Sequence, residues 1–199
     1  MVTPERIETA FHHVEWLRAA VHDKEVSAAP RVRAAVACLG IAQEHHESIV
    51  LLIEHKLNAS AYALLRVAFE SYVRGMWLAL CASDEQVTHF WAGGEPPKMD
   101  ALLLQLERDP GFSEEVFSGI KRAHWRTLCA FTHAGGLQVQ RWNSETSIEP
   151  TYAPTEVAQV LFFAELIGSL AVIGVAQVAH DDELAQRVLV QVKALPSVV

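Results

Sequence analysis

The chain has 199 residues, of which 51% are hydrophobic, and a formal net charge of −8. This length and composition exclude a disordered chain and allow one sizeable core, so we expect a single domain over residues 1–199. The negative charge repels nucleic acids and anionic membranes at long range. Any RNA contact must therefore depend on a local cluster of basic residues.

The cysteines and the first residues indicate the compartment. Cys38, Cys81 and Cys129 are far apart in an apolar context and form no Cys-x-x-Cys pair. This pattern predicts buried, reduced thiols rather than a zinc site or a redox pair. The first ten residues are charged and lack the apolar run of a signal peptide. We therefore expect a cytoplasmic protein.

The first half of the chain predicts three long helices. Thr3-Pro4-Glu5 is typical of a helix start, and apolar residues then recur at three- and four-residue steps as far as Val21. A second helix is expected from about Arg31 to Leu57. A third is expected from Ala61 to about Ala82, with Ser60 as its N-cap. This third helix is apolar on nearly every side, which favours a place in the middle of a bundle.

Shorter helices are expected next. Ser83 and Gln86 form a possible capping box for a helix ending near Trp91, and a second short helix is expected over 98–108. A longer helix is then expected over 114–134.

Ser113 is the expected N-cap of that longer helix, and Gly135-Gly136 is expected to end it. The longest irregular segment follows, over residues 137–154. Loops of this length are uncommon in compact domains and often carry function.

The segment from Val157 to Ala179 is long and apolar enough to cross a bilayer and contains one charge, Glu165. Neither flank carries Lys or Arg, and Asp181 and Asp182 follow at once. These features favour a buried helix over a membrane span, so we expect no membrane association. One of the two aspartates is expected to cap a last helix that ends at Ala194.

No segment shows strict alternation of apolar and polar residues over five or more positions, which predicts that no sheet is present. The expected fold class is all-α: a helical bundle of about five long and two or three short helices.

One pair of residues suggests chemistry. Arg126 and His133 are seven residues apart, two helical turns to within about 20°, so both should lie on one face. Arg122 and Lys121 extend a cationic stripe along the same helix. An arginine can bind a phosphate while a histidine transfers a proton. The alternative is structural: an arginine paired with a carboxylate, and a histidine that caps helix carbonyls.

This pair resembles a known motif. Arginine, four to six intervening residues and histidine late in a helix of a small bundle resembles the HEPN superfamily, which includes metal-independent ribonucleases of bacterial defence and toxin systems. Arg126-x6-His133 fits the long end of that range. The sequences of Ala63–Glu70 and Thr132–Gly136 also resemble those of uncharacterised bacterial families placed near that superfamily.

The resemblance implies an RNA-directed protein and a homodimer, since two subunits of HEPN ribonucleases appose their motifs. RNA or an inhibitory partner protein is the implied partner, within a toxin–antitoxin or defence system. Active members often carry Asn, Asp or His after the arginine, whereas this chain has Thr127. Two hypotheses therefore stay open: a metal-independent endoribonuclease, and a non-catalytic dimeric scaffold of the same fold.

Charged residues on the most apolar helix have two interpretations. Arg66, Glu70 and Arg74 are spaced four residues apart. Glu70 and Arg66 could support the site, with Glu70 orienting Arg126 or Arg122. Alternatively the three form an internal ladder of ion pairs, because charges on such a helix are costly unless they are paired.

The remaining histidines do not favour a metal. Residues 44–47 read Glu-His-His-Glu, and His12 and His22 each have a glutamate three residues later, but no Glu-x-x-His occurs. We interpret these residues as solvated helix faces and expect neither a metal ion nor another cofactor.

Overall fold

A computed structural model of the protein describes residues 2–112 and 115–195. About 75% of these residues are helical and none lies in a strand, so the predicted all-α class is confirmed. The helices are α1 (Pro4–Val21), α2 (Pro30–Glu54), α3 (Asn58–Leu80), α4 (Asp84–Trp91), α5 (Met99–Leu106), α6 (Val116–Thr132), α7 (Gly136–Gln140), α8 (Pro154–Val178) and α9 (Asp182–Lys193), with a 3-10 turn at Pro110–Phe112.

Helix α3 lies at the centre of the bundle, as its all-round apolar sequence predicts. It packs against α2, α5, α6 and α8. Glycines allow the closest approaches: a Cβ added at Gly75 would lie 2.9 Å from the side chain of Leu39, and one at Gly174 would lie 2.7 Å from Met76 Sδ. The backbones of α3 and α8 therefore lie directly against the Leu39 side chain of α2.

Most predicted helix starts are confirmed. Thr3 Oγ1 accepts a hydrogen bond from the Arg6 amide, and Asp181 Oδ1 accepts one from the Leu184 amide. Ser83 and Gln86 form the reciprocal capping box. These caps are local interactions, which is why the sequence predicts them.

The predicted cap at Ser60 is wrong. Helix α2 ends at Glu54, Lys56 adopts a left-handed conformation with φ of 59°, and the Leu57 amide donates to Leu52 O at 2.7 Å. This closure reverses the chain earlier than expected, so α3 begins at Asn58. The predicted cap at Ser113 lies outside the described residues.

The glycines after α6 act differently from the prediction. The left-handed residue at the helix end is Ala134, with φ of 50°, and α7 begins at Gly136. Gly135 is needed for close packing, since an added Cβ would lie 3.0 Å from Ala130 Cα. The predicted loop 137–154 is therefore wrong at its start, because α7 is a single turn that is too short to show periodicity.

Helix α8 packs inside the bundle, against α1, α2, α3 and α9. It is the one helix in the described ranges that is long and apolar enough to cross a membrane, and 61% of its most apolar 18-residue window is buried in the protein. The predicted packing of this segment as a core helix therefore agrees with the structure.

The single charge on this apolar segment, Glu165, is fully buried and paired with Arg6 of α1. Arg6 Nη1 donates to Glu165 Oε1 at 2.8 Å and Nη2 donates to Oε2 at 2.5 Å. One turn away, Ser169 Oγ donates to the Glu165 carbonyl and lies 2.8 Å from His13 Nε2. A polar cluster thus joins α1 to α8 within the core.

His46 corrects the interpretation of residues 44–47 as a solvated face. Its side chain is 2% exposed and packs so tightly on α8 that a Cβ at Gly168 would lie 2.3 Å from its Nδ1. Burial first, and then the neighbouring His13, lower the pKa of His46 to about 3. Burial also lowers the pKa of His13. Both imidazoles are therefore neutral at physiological pH.

The buried ion pair predicts a large cost for removing one partner. Arg6→Ala leaves Glu165 as an uncompensated buried charge, so the free energy of unfolding should fall by about 3 kcal/mol or more. Arg18→Ala on the same helix breaks an exposed pair with Glu47 and should cost less than about 1 kcal/mol. Urea denaturation of both variants measures the difference, and equal losses would contradict the proposed role of burial.

The buried histidine predicts a pH dependence of stability. The pKa of His46 is about 3 in the folded state and 6.5 in the unfolded chain. As the pH falls, His46 is therefore protonated in the unfolded chain before it is protonated in the folded protein. Its contribution is present above pH 6.5 and is lost as the pH falls towards 3. His46→Gln should flatten the fall in unfolding free energy between pH 6.5 and 4. His12→Gln, at an exposed position, should leave the slope of the parent unchanged.

Candidate functional site

The structure brings Arg66 of α3 and His133 of α6 together. His133 is the C-cap of α6 and is exposed, and its ring Nε2 lies 2.7 Å from Arg66 Nη1. A guanidinium group has donors only, so Nε2 is the acceptor, and this geometry requires a neutral imidazole with its proton on Nδ1. Arg66 thus holds the histidine in one tautomer.

Glu70 holds Arg66 in turn. Its Oε1 accepts from Arg66 Nε at 2.8 Å and its Oε2 accepts from Arg74 Nη2 at 2.7 Å. The internal ladder is therefore the correct interpretation of these three residues. Orientation of Arg126 or Arg122 by Glu70 is not observed, because both carboxylate oxygens already accept from arginines of α3.

Trp125 also contacts Arg66. The guanidinium carbon lies 4.8 Å from the centre of the indole ring, and Lys121 Nζ lies 5.0 Å from the same ring. Cations over an indole face are stabilised by its quadrupole. Trp125 was not predicted as a site residue, because nothing in its local sequence shows that α3 presents an arginine to it.

Two cations of the predicted stripe are already paired. Lys121 donates to Asp100 at 2.7 Å, and Arg122 lies 3.3 Å from a carboxylate oxygen of Glu115. The Lys121 side chain is mostly buried, whereas Arg122 and its partner are exposed. These residues therefore offer less free positive charge than the sequence indicates.

Arg126 differs from its neighbours. It is exposed, and no ion pair joins it to a carboxylate in residues 2–112 and 115–195. It lines a shallow cleft of about 560 Å³ together with Thr127, Ala130 and the α7 residues Gly136, Leu137 and Gln140. His133 is not among the residues that line this cleft. Arg126 therefore faces α7, whereas the His133 ring contacts α3.

The geometry defines what this surface can do chemically. An oxyanion that reaches Arg66 would compete with His133 for the guanidinium, and the released Nε2 lone pair could then accept a proton. Buried Glu70 keeps the guanidinium in place during such an exchange. No group of three or more metal-ligating side chains is found in the described part of the chain, and the expectation of no metal stays a prediction.

The fold and this surface define the class of protein: a helical bundle in which an arginine of one helix binds a histidine at the end of another. Residues 39–198 match the family of unknown function DUF6988, and the chain belongs to that family. The match includes Arg66, Glu70 and His133, whereas Arg6 lies before it. No curated protein and no solved structure matches the chain.

The contact between Arg66 and His133 predicts an unusual tautomer. Side-chain 15N NMR above pH 8 should show the His133 ring protonated on Nδ1, because Nε2 accepts from Arg66. Arg66→Leu should return the ring to the Nε2-protonated form that exposed histidines prefer. His12, exposed on α1, is the internal control and should not change. A His133 ring protonated on Nε2 in the parent would contradict the observed contact.

Proposed function

We propose that this protein is a HEPN-like, RNA-directed protein that cleaves RNA without a metal ion. His133 transfers the proton, Arg66 stabilises the negative charge on the phosphate, and Arg126 binds a neighbouring phosphate. The observation that carries the proposal is the hydrogen bond between Arg66 and the exposed ring of His133. An arginine and a histidine in contact at an open surface supply the charge stabilisation and the base that phosphodiester cleavage needs.

The proposed reaction is a transfer within the RNA. A non-bridging phosphate oxygen replaces His133 Nε2 as the acceptor of the hydrogen bond from Arg66. The freed Nε2 then accepts the proton of the ribose 2′-hydroxyl. The 2′-oxygen attacks phosphorus and the bond from phosphorus to the 5′-oxygen breaks. The leaving oxygen takes a proton from water. The products are a 2′,3′-cyclic phosphate and a 5′-hydroxyl end.

The charges around the site support a local RNA contact on an acidic protein. Glu70 balances only one of Arg66 and Arg74, so the ladder carries a net positive charge. Arg126 adds an exposed cation that has no ion pair among the described residues. Nucleic-acid affinity depends on such local cations, and it should fall steeply with salt.

The test is cleavage of total RNA by the purified protein, with and without EDTA. His133→Ala should reduce the rate by about 10²–10⁴-fold, the usual contribution of a general base. Arg66→Ala and Arg126→Ala should each reduce it by about 10²-fold or more, because charge in the transition state is left unbalanced. EDTA should have no effect, and the products should carry 2′,3′-cyclic phosphate ends.

Matched controls separate chemistry from folding. His12→Ala and Arg18→Ala remove an exposed histidine and an exposed arginine of α1, outside the proposed contacts, and both should cleave RNA at the parent rate. The far-ultraviolet circular dichroism of every variant should match that of the parent. Intact RNA after incubation with the folded parent, freed of any bound partner, would contradict the proposal.

A non-catalytic scaffold is the second candidate, and one observation favours it. Val139, Trp142 and Ile148 are large apolar side chains exposed on α7 and the segment after it, and Ile148 is 82% exposed. The three lie within ten residues of one another in the chain, and clusters of exposed apolar side chains are typical of protein-binding sites. A homodimer or a partner protein would cover them, and this account would replace the ribonuclease if RNA stays intact.

A further inference from the structure

A second, larger cleft lies beside the one that Arg126 lines, between α3, α6 and α8, and Thr127 and Leu137 line both clefts. Its volume is about 620 Å³, within the range of small-molecule sites in proteins. Its walls are mainly apolar and aromatic, with Leu65, Leu128, Phe131, Val160 and Phe163 among the lining residues. Among its polar lining residues, Tyr62 and Arg141 carry buried donors that have no partner in the described part of the chain, and these donors decide which ligand would fit.

Tyr62 offers a buried donor. The residue is 2% exposed, and its ring lies between those of Phe131 and Tyr152, each with a centroid 4.9 Å away. Its hydroxyl has no hydrogen-bond partner in residues 2–112 and 115–195. Buried hydroxyls without a partner are uncommon and costly, so a group that accepts this hydrogen bond would be stabilised here.

The Tyr62 hydroxyl acts as a donor because it keeps its proton. Burial raises the pKa of Tyr62 far above its ordinary value, and the nearby Glu156 and Tyr152 raise it further. Arg141 supplies a second donor, since its buried Nε also has no partner among the described residues. Both polar groups therefore require a hydrogen-bond acceptor.

The net charge at the cleft favours a neutral acceptor. Arg141 Nη2 donates to the carboxylate of Glu156, which also lines the cleft. This ion pair cancels the charge of the guanidinium group. A ligand carboxylate would gain little from Arg141 and would be repelled by Glu156, whereas a carbonyl oxygen could accept from Tyr62 without that penalty.

We propose that this cleft binds a neutral small molecule with an aromatic body and a carbonyl oxygen. The aromatic body packs against Phe131 and Phe163, and the carbonyl oxygen accepts hydrogen bonds from Tyr62 Oη and Arg141 Nε. The site is separate from Arg66 and His133, which do not line it. It stands independently of the proposed RNA cleavage.

Two matched fluorescent probes test this site. The first is 6-propionyl-2-(dimethylamino)naphthalene, a neutral aromatic ketone whose emission shifts to the blue in an apolar site. The second is 2-(dimethylamino)naphthalene, which lacks the carbonyl group. We expect the ketone to bind in a 1:1 ratio and about fivefold to tenfold more tightly than the probe without the carbonyl, the usual effect of one hydrogen bond.

Tyr62→Phe keeps the ring and removes the donor. It should lower the ketone affinity by about the same factor and leave the affinity of the second probe unchanged. Its melting temperature should not fall below that of the parent, because no hydrogen bond is lost from the free protein. Thr127→Trp, at an exposed position of the cleft wall, should block both probes.

Three results would overturn the proposal. The first is failure of the folded parent to bind the ketone, and the second is equal affinity of the two probes. The third is a concentration-dependent dimer in analytical ultracentrifugation that Thr127→Trp dissociates, since the cleft would then be an interface between two copies. None of these results depends on whether the protein cleaves RNA.

Discussion

The need to compensate buried carboxylates governs this bundle. Glu165 lies on α8 and is fully buried, and Glu70 lies on the central helix α3 and is 7% exposed. A buried carboxylate without a partner would cost several kcal/mol, so each must bind an arginine. Glu165 binds Arg6 and so fixes α1 on α8. Glu70 binds Arg66 and Arg74, and Arg66 in turn reaches α6.

The position of the candidate site follows from the second of these compensations. Glu70 takes the Nε edge of Arg66, which leaves the Nη1 donor for His133 and the guanidinium face for Trp125. One buried charge on α3 thus determines the orientation of an exposed imidazole on α6. Arg126, in contrast, faces α7 and does not contact His133's partner on α3. In the proposed reaction, the two arginines contact different phosphates of one RNA strand.

Sequence reasoning predicted what depends on short-range pattern. The 3.6-residue period indicated the long helices, and side chains at Thr3, Ser83 and Asp181 indicated where helices begin. It failed where the backbone itself makes the turn, as at Lys56 and Ala134, because left-handed residues other than glycine leave little signal in the sequence. It also missed α7, which is one turn long.

Long-range pairing explains what the sequence could not show at the site. The ladder of Arg66, Glu70 and Arg74 was predictable, since its members lie one turn apart on one helix. The contact between Arg66 and His133 was not, because it joins residues 67 positions apart whose helices meet only in the folded bundle. Burial of His46 was hidden for a similar reason. Its sequence neighbours Glu44, His45 and Glu47 are polar, and the groove at Gly168 that receives it belongs to α8.

The pairing of Arg6 with Glu165 has a consequence for synthesis. The two residues are 159 positions apart, so α1 leaves the ribosome long before its partner helix exists. At about 5–20 residues per second, this delay is roughly 8–30 s. During that time α1 can pack against α2, but the α8 part of its contacts is missing and Arg6 has no buried carboxylate to bind. Helix α1 is thus made well before its docking can be completed, and it is a segment that a nascent-chain chaperone would shield.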